Sequence, residues 1–344
     1  MHTKKKNVVI TLLLILSVIA SGCAGANSQP KAGAVEKGAD GKYTDLTVRL
    51  GVQGSGGLFG KAREERWFEE EFGKLGVKVE WAEFQSGPPM TEAMASNRLD
   101  FAGLGNMPII AAKAADIPFK VISQSLHGEK NVAIIVPPDS TAQTLSDLKG
   151  KKVAVTKGSN AFNFLYRGLA DQGLKVSDIE IIQLQPDEAQ PAFESGGVDA
   201  WATWDPYITL NTLTGKGNVL ADGEQLGVLS PSFNIVRKDF ADQYPDLVTL
   251  YLTVLNKTLA WEKENEAEAI QRYADERGIP QEVIQGTFDR SRSINIPVTD
   301  DIIAEQQKTA DFQFEQKTIR KKSRSKTYSI ISILRLQPNK RHII

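Results

Sequence analysis

The feature that most constrains the fold is an alternation of short β-rich runs with longer segments at helical spacing, which continues from residue 46 to residue 237. The alternation is typical of parallel sheets covered by crossover helices, so the sequence predicts an α/β fold. The predicted strands are 46–52, 77–84, 99–104, 119–126, 152–156, 180–184, 198–203, 218–221 and 233–237. The predicted helices are 61–72, 88–96, 107–115, 160–172, 187–195 and 206–213, followed by an almost wholly helical stretch over 240–316.

The order of these elements predicts two lobes. One α/β series ends before Pro137 and Pro138, a second follows, and the helical stretch comes last. We assign lobe 1 to 45–134 and 236–316 and lobe 2 to 135–235, with the chain crossing between them near 132–136 and 233–237. Two crossing strands permit hinged closure around a solute. Two rigidly packed domains are the alternative.

The start of the chain is typical of an export signal. Three lysines precede an apolar run, 8–20, that is too short to span a membrane comfortably, and Cys23 follows shortly after it. Ala20-Ser21-Gly22-Cys23 resembles a bacterial lipobox, in which the cysteine is acylated. We therefore predict a lipoprotein signal peptide over 1–22 and a lipid-anchored, flexible tether over 23–44. An unmodified signal or a single-pass anchor is the alternative.

Charge and cysteine content narrow the possible partners. All 42 acidic residues lie between residues 24 and 316, whereas nine of the 41 Lys and Arg residues lie in 317–344. The body is thus acidic, which argues against nucleic acid as a partner. We interpret 317–344 as a basic, disordered or frame-altered tail; a basic patch at 321–326 for anionic lipid or nucleic acid is the alternative. Cys23 is the only cysteine, so no disulfide can form within the chain.

Five polar, Gly- or Pro-containing turns follow predicted strands. In open α/β sheets, ligands bind at the carboxyl ends of strands, where helices begin. Glycine lets backbone approach a ligand, Ser and Asn cap helices and donate hydrogen bonds, and helix starts favour anions. Ordinary helix caps are the alternative for each turn. The turns are Gln53-Gly54-Ser55, Ser86-Gly87-Pro88, Gly105-Asn106, Gly158-Ser159-Asn160 and Trp204-Asp205-Pro206.

Several segments between about residues 50 and 292 resemble the aliphatic-sulfonate-binding proteins of ABC importers. The strongest similarity is in Val198-Asp199-Ala200-Trp201-Ala202-Thr203-Trp204-Asp205-Pro206-Tyr207, with its paired tryptophans. The other segments are Gly51-Val52-Gln53, Glu83-Phe84-Gln85-Ser86-Gly87-Pro88, Asp100-Phe101-Ala102, Asp147-Leu148-Lys149-Gly150-Lys151-Lys152-Val153-Ala154 and Lys157-Gly158-Ser159-Asn160. A broader group that includes taurine-, nitrate- and pyrimidine-precursor-binding proteins is similar in fold and in several of these turns.

The resemblance implies a two-lobed, periplasmic-binding-protein-like fold (type II) with a ligand cleft between the lobes. It implies a monomeric lipoprotein on the outer face of the cell membrane that captures a small organic sulfonate, with no cofactor, and delivers it to ABC permease subunits for sulfur acquisition. A sulfonate is a permanent anion that neutral donors can hold. We expect Trp201 and Trp204 to form apolar walls, with core packing as the alternative for Trp201, and Asp205 to cap a helix. The expected polar contacts come from Gln53, Ser86, Gly87, Asn106, Ser159 and Asn160.

Enzymatic and metal-binding interpretations have weaker support. The segment 55–62 departs from a phosphate-binding loop because Ser55 replaces its first glycine and Ala62 its metal-binding hydroxyl. Ser159 has no nucleophile-elbow motif around it, and His127 is the only histidine of the body. No pair of histidines stands at ligand spacing. We therefore expect no catalysis and no metal site; a secreted enzyme of the same fold that acts on a small heterocycle is the rival hypothesis.

Overall fold

The fold contains two five-stranded sheets. A computed structural model describes residues 35–54 and 57–322. The strands within these ranges are β1 (Leu46–Gln53), β2 (Val77–Phe84), β3 (Phe101–Gly105), β4 (Phe119–Leu126), β5 (Val132–Val136), β6 (Lys152–Val155), β7 (Glu180–Gln183), β8 (Ala200–Trp204), β9 (Asn218–Asp222) and β10 (Ser232–Arg237). The first sheet has the order β2-β1-β3-β10-β4 and the second the order β7-β6-β8-β5-β9.

Each sheet is mixed rather than wholly parallel. In the first sheet β1 is parallel to β2 and β3, but β10 is antiparallel to β3 and β4. In the second sheet β6 is parallel to β7 and β8, but β5 is antiparallel to β8 and β9. The prediction of parallel sheets was wrong for β5 and β10. The chain reaches each of these strands from the other sheet. It does not reach them through a crossover helix from a parallel strand of the same sheet, so they can run antiparallel to their neighbours.

Thirteen α-helices connect and cover the sheets in the described ranges. The predicted helix 61–72 is two helices, because Arg66 between them has a left-handed backbone with φ 55°. The predicted helical stretch over 240–316 comprises five helices with a non-helical segment at 291–299. The helices are α1 (Leu58–Glu64), α2 (Trp67–Gly73), α3 (Gly87–Ala95), α4 (Asn106–Ala114), α5 (Asn160–Asp171), α6 (Pro186–Glu194), α7 (Tyr207–Leu213), α8 (Gly223–Leu226), α9 (Lys238–Gln243), α10 (Pro245–Glu264), α11 (Glu266–Arg277), α12 (Gln281–Arg290) and α13 (Asp300–Glu315).

Both faces of each sheet are buried. On one face of the first sheet, aromatic side chains of α2 and α10 pack against β1 and β3, and Phe101 stacks on Tyr251 with ring centroids 4.3 Å apart. Met90 and Met94 of α3 belong to the apolar cluster on the other face. The second sheet likewise has one cluster with Phe164 and another with Trp201. Burial on both faces explains the continuous apolar runs of the inner strands β5 and β8, whereas the edge strand β2 largely alternates between buried or half-buried residues and exposed ones.

The chain passes between the sheets at 127–131, from β4 to β5, and at 223–231, from β9 to β10. These segments lie beside the two strands that were predicted to cross, and both of those strands are sheet members. The lobe boundaries given above stay a prediction.

Several sequence predictions fall outside the described residues. They concern the signal peptide, Cys23, the tether as far as residue 34, and the tail beyond Lys322. Among the helices that are described, none has the length and apolar character to cross a membrane.

Candidate functional site

A cavity of about 350 Å³ lies between the two sheets. Its walls come from β1, β3, β4 and β10 of the first sheet, from β5 and β8 of the second, and from α10, α11 and α12. All five predicted turns reach it: Gln53-Gly54, Gly87, Gly105, Ser159-Asn160 and Trp204-Asp205-Pro206 line the wall. The site thus forms where the carboxyl ends of strands from both sheets face each other, as the turn pattern predicted.

Five of the eight predicted contact residues line the cavity: Gln53, Gly87, Ser159, Asn160 and Trp204. The Gln53 amide donates a hydrogen bond to the Gly103 carbonyl at 3.3 Å, which fixes the side chain across the strand ends. Ser159 caps α5 by accepting a hydrogen bond from the Phe162 amide at 3.2 Å. The indole of Trp204 meets Tyr207 edge-on, with ring centroids 6.4 Å apart.

The other three predicted residues lie behind the wall. Trp201 is only 1% exposed and packs against Phe193 and Tyr207 in the core of the second sheet, which corresponds to the core-packing alternative. Ser86 is fully buried, and its hydroxyl donates to Oε1 of Gln185 at 2.9 Å. Asn106 is also fully buried, and within the described ranges neither end of its amide has a hydrogen-bond partner. These three residues do not line the cavity, and their contact with a ligand stays a prediction.

Few backbone N–H groups at the helix starts are free to bind a ligand. The amide of Asn106 donates to the Pro231 carbonyl at 2.9 Å, and the amide of Met107 donates to Oδ1 of Asn160 at 3.1 Å. Helix α3 begins Gly87-Pro88-Pro89, and proline has no N–H. Because these donors are absent or already partnered, the starts of α3 and α4 offer few N–H groups to an anion.

Arg277 is the cavity residue of greatest chemical interest that the sequence did not predict. It is the last residue of α11, and a Cβ added at Gly54 would lie 3.6 Å from its guanidinium nitrogens, so the guanidinium stands beside the glycine turn. In the described part of the chain Arg277 forms no hydrogen bond or ion pair. Burial lowers its pKa, while Tyr207, Glu276 and Tyr273 at longer range act in the opposite direction. A desolvated guanidinium without a carboxylate partner favours an anion such as a sulfonate.

Arg277 escaped prediction because it lies in the helical stretch, more than 200 residues from the glycine turn that it contacts. Only the three-dimensional path of α11 shows the contact. The residual signal in the sequence is the pair of glycines at 54 and 57, which both have positive φ and at which an added Cβ would lie within 3.6 Å of the guanidinium.

Asp205 caps α7, as predicted. Its Oδ1 accepts hydrogen bonds from the amide of Thr209 at 3.0 Å and the hydroxyl at 2.6 Å, and its Oδ2 pairs with Nε of Arg290 at 2.9 Å. Burial raises the pKa of Asp205, against the opposing effects of Thr209 and Arg290. Arg290 also donates to the Lys130 carbonyl at 2.6 Å, so it joins α12 to the second sheet. Because Arg290 balances the carboxylate, Asp205 repels an anion in the cavity only weakly.

A second unpredicted pair lies on the wall formed by α10 and α11. Glu262 is 7% exposed and accepts a hydrogen bond from the hydroxyl of Tyr273 at 2.6 Å, and both residues line the cavity. Burial raises the pKa of Glu262, while Tyr273 and Arg292 act to lower it. The cavity therefore has a guanidinium and a carboxyl group on the same wall.

No cluster of three or more potential metal ligands occurs within 35–54 and 57–322. His127 is therefore not part of such a cluster. Among the residues described, the cavity wall contains no histidine or cysteine.

Comparison with known proteins places these features in a family. The family described as NMT1/THI5 like matches residues 60–269. A Bacillus subtilis (strain 168) protein named for aliphatic sulfonates binding is 43% identical over 319 residues, which cover 92% of each chain. The solved alkanesulfonate-binding protein SsuA from Xanthomonas axonopodis pv. citri, bound to MOPS, has 32% sequence identity and a TM-score of 0.76 over 83% of this chain and 98% of its own.

A more distant structure, that of the desulfurization enzyme DSZB, is 15% identical with a TM-score of 0.62 over 83% of this chain and 96% of its own. At that identity the likeness concerns the fold alone. Together with the two mixed sheets, these similarities confirm the predicted two-lobed, periplasmic-binding-protein-like α/β fold.

Proposed function

The chain belongs to the NMT1/THI5-like family, and on that premise we propose that it captures aliphatic sulfonates on the outer side of the cell membrane and delivers them to an ABC permease. Sulfonates would serve as a source of sulfur. The observation that carries the proposal is Arg277, whose guanidinium lines the cavity without a carboxylate partner in the described residues. The similarity to proteins named for sulfonate binding supports the same ligand class.

The cavity suits a small amphipathic anion. The sulfonate group would lie at Arg277, and the neutral donors Gln53 and Ser159 and the backbone at Gly87 would contact its oxygens. Trp204, Tyr207 and Leu58 would contact the alkyl part. Charge-assisted hydrogen bonds are roughly twice as strong as neutral ones, so the guanidinium would dominate the affinity for the anion.

Closure of the lobes would convert binding into a signal for the permease. Hydrogen bonds already join elements of the two sheets, among them Ser86 to Gln185 and the Met107 amide to Asn160. A ligand that contacts both sides of the cavity stabilises the closed arrangement in which these bonds form. The permease would then recognise the closed shape, and the ligand would be released without chemical change.

Anchoring rests on the N-terminal sequence. We assign the lipid anchor to Cys23 because it follows a charged and apolar export signal and the lipobox-like residues Ala20, Ser21 and Gly22. The Cys23→Ser variant should lose incorporation of a labelled fatty acid and leave the membrane fraction. Incorporation that persists in this variant would refute the assignment.

Thermal unfolding with a ligand panel tests the ligand class. The panel contains alkanesulfonates, taurine, nitrate, sulfate and hydroxymethylpyrimidine. A ligand at about 100 times its dissociation constant adds about 2.7 kcal/mol to the free energy of unfolding, which is an easily measured shift. Sulfonates should raise the unfolding temperature. A rise with nitrate or the pyrimidine alone would show that the ligand is not a sulfonate. Recovery of the ligand unchanged after incubation should distinguish binding from turnover.

A further inference from the structure

Glu276 precedes Arg277 on α11 and binds the backbone just before α1. Its Oε2 accepts a hydrogen bond from the N–H of Gly57 at 3.0 Å. Its Oε1 pairs with Nη2 of Arg272, one turn earlier on α11, at 2.8 Å. Glu276 is half-buried and is not among the residues that line the cavity, whereas Arg277 is. Two consecutive residues of α11 therefore approach the same turn, and only the second of them faces the cavity.

The close approach of Glu276 explains the glycine at position 60. A Cβ added at Gly60 would lie 2.4 and 2.6 Å from the two carboxylate oxygens of Glu276, which is closer than a non-bonded contact allows. Gly60 lies inside α1 and does not have positive φ, so its backbone conformation does not require glycine. Glycine inside a helix is also less favourable than alanine. The missing side chain at position 60 thus leaves the space that the carboxylate of Glu276 occupies.

Gly57 connects this contact to the cavity. It has φ 68° and ψ −148°, a combination that is close to a region confined to glycine, and it lines the cavity. A Cβ added at Gly57 would lie 3.5 Å from Nη2 of Arg277. The backbone that Glu276 binds is therefore the surface beside which the guanidinium lies. Because Arg277 has no hydrogen bond or ion pair of its own in the described part of the chain, this surface limits the orientations of its side chain.

We propose that Glu276 is a positioning residue, which binds the Gly57 amide, keeps the start of α1 against α11 and so holds the guanidinium of Arg277 in the orientation that binds a sulfonate. The inference rests on the proposed function and adds to it a residue that does not contact the ligand. A side chain that is already fixed loses less conformational entropy when the ligand binds, so the contact at Gly57 raises the affinity.

A double-mutant cycle tests the proposal, by calorimetric titration of the purified protein with ethanesulfonate and butanesulfonate. Glu276→Ala should raise the dissociation constant about 2- to 30-fold, the range found for residues that are coupled to a site without contacting the ligand. In an Arg277→Gln background the same change should have no further effect, because Glu276 acts through Arg277. A residue that only stabilises the fold would not show this dependence on Arg277. An equal factor in both backgrounds would overturn the inference.

Gly60→Ala should break the same contact from the side of α1. The added methyl group displaces the end of the flexible Glu276 side chain rather than backbone, and alanine favours a helix, so the fold should be retained. The variant should nevertheless bind sulfonates as weakly as Glu276→Ala, and the two changes together should be no worse than either alone. Glu276→Gln, which keeps an acceptor for the Gly57 amide, should recover most of the affinity.

Glu268→Ala is the matched control. Glu268 also lies on α11 and pairs with Lys61 of α1 at 3.7 Å, but it is exposed, and the Gly57 amide donates to Glu276 instead. This variant should bind sulfonates as the wild type does; a loss equal to that of Glu276→Ala would contradict a specific role for Glu276. Wild-type affinity in both Glu276→Ala and Gly60→Ala would overturn the inference and leave the proposed function in place. Absence of binding of both sulfonates by the wild type would overturn both.

Discussion

At the scale of single residues, the cavity depends on a charge that reaches it from a distant helix. Arg277 comes from α11, and its guanidinium lies beside the glycine turn at 54 and 57, where an added Cβ would be in van der Waals contact with it. The sequence predicted the turns correctly because Gly, Ser and Asn directly after a strand are a local signal of a turn and of a helix start. It could not predict Arg277, because no local pattern distinguishes an arginine at a helix end that faces a cavity from one that faces solvent.

Replacing Arg277 should therefore weaken sulfonate binding strongly. A hydrogen bond to a charged group contributes about 1.5–3 kcal/mol, so Arg277→Gln should raise the dissociation constant about 10- to 100-fold in calorimetric titration. Arg277→Lys should recover only part of the affinity, since lysine keeps the charge and loses the planar fork.

Arg98→Gln is the matched control, because Arg98 is exposed and, within the described ranges, its side chain donates a hydrogen bond only to the nearby Ser96 hydroxyl. It should bind sulfonates as the wild type does. Unchanged affinity of Arg277→Gln for sulfonates would show that Arg277 does not bind the ligand.

Glu262 should affect the pH dependence of stability in the ligand-free protein. Burial raises its pKa above the ordinary value of 4.5, so the folded state holds the proton to a higher pH than the unfolded chain does. The contribution to stability is full below pH 4.5 and is lost as pH rises through the higher folded pKa. Denaturant unfolding at a series of pH values should show this decline in the wild type and a flatter profile in Glu262→Gln. Identical profiles would mean that Glu262 titrates equally in both states.

At the scale of elements, helical periodicity predicted most helices and missed the break between α1 and α2. The sequence 61–72 has continuous helical spacing, yet Arg66 adopts a left-handed conformation with φ 55°. The break lets Trp67 begin a second helix whose residues Phe68 and Phe72 pack into the first core. Tertiary packing thus overrides the local preference of the segment. The reversed direction of β5 and β10 was missed for a similar reason, since it follows from which sheet each strand joins.

Arg66→Gly should stabilise the protein modestly. A left-handed conformation costs an L-residue about 1–2 kcal/mol, and glycine avoids that cost but loses more backbone entropy on folding. We expect a net gain of up to about 1 kcal/mol in denaturant unfolding. Arg98→Gly, at an exposed position without positive φ, should give no gain. Destabilisation by Arg66→Gly would indicate that the arginine side chain itself supports the break.

At the scale of the whole molecule, polar contacts join the elements around the two sheets. The bond between Ser86 and Gln185 links the start of α3 to the start of α6, and Asn160 links α5 to α4 and to the Ser230 carbonyl before β10. Arg290 of α12 and Gln313 of α13 also reach the second sheet and α5. Hydrogen bonds of this kind suit a closure equilibrium that a ligand can shift, because each contributes only about 1 kcal/mol. The sequence indicated two lobes, and the contacts between them became visible only in the folded chain.

Gln185→Ala should therefore favour an open state. Loss of about 0.5–1.5 kcal/mol should raise the apparent dissociation constant for a sulfonate about 2- to 12-fold, although Gln185 does not line the cavity. Small-angle X-ray scattering should show a larger radius of gyration that ligand only partly reduces. Gln183→Ala, at an exposed position that ends β7, should behave like the wild type. An unchanged radius and affinity in Gln185→Ala would exclude this contact from closure.

The most direct test is a crystal structure of the protein with 2-bromoethanesulfonate, whose bromine can be located by anomalous scattering. The sulfonate should lie in the cavity between the sheets, with an oxygen about 2.7–2.9 Å from a guanidinium nitrogen of Arg277. The bromine should lie against Trp204, Tyr207 or Leu58, which would contact the alkyl part. An occupied cavity with the sulfonate away from Arg277, or a ligand bound only outside the cavity, would contradict capture of the anion at this site.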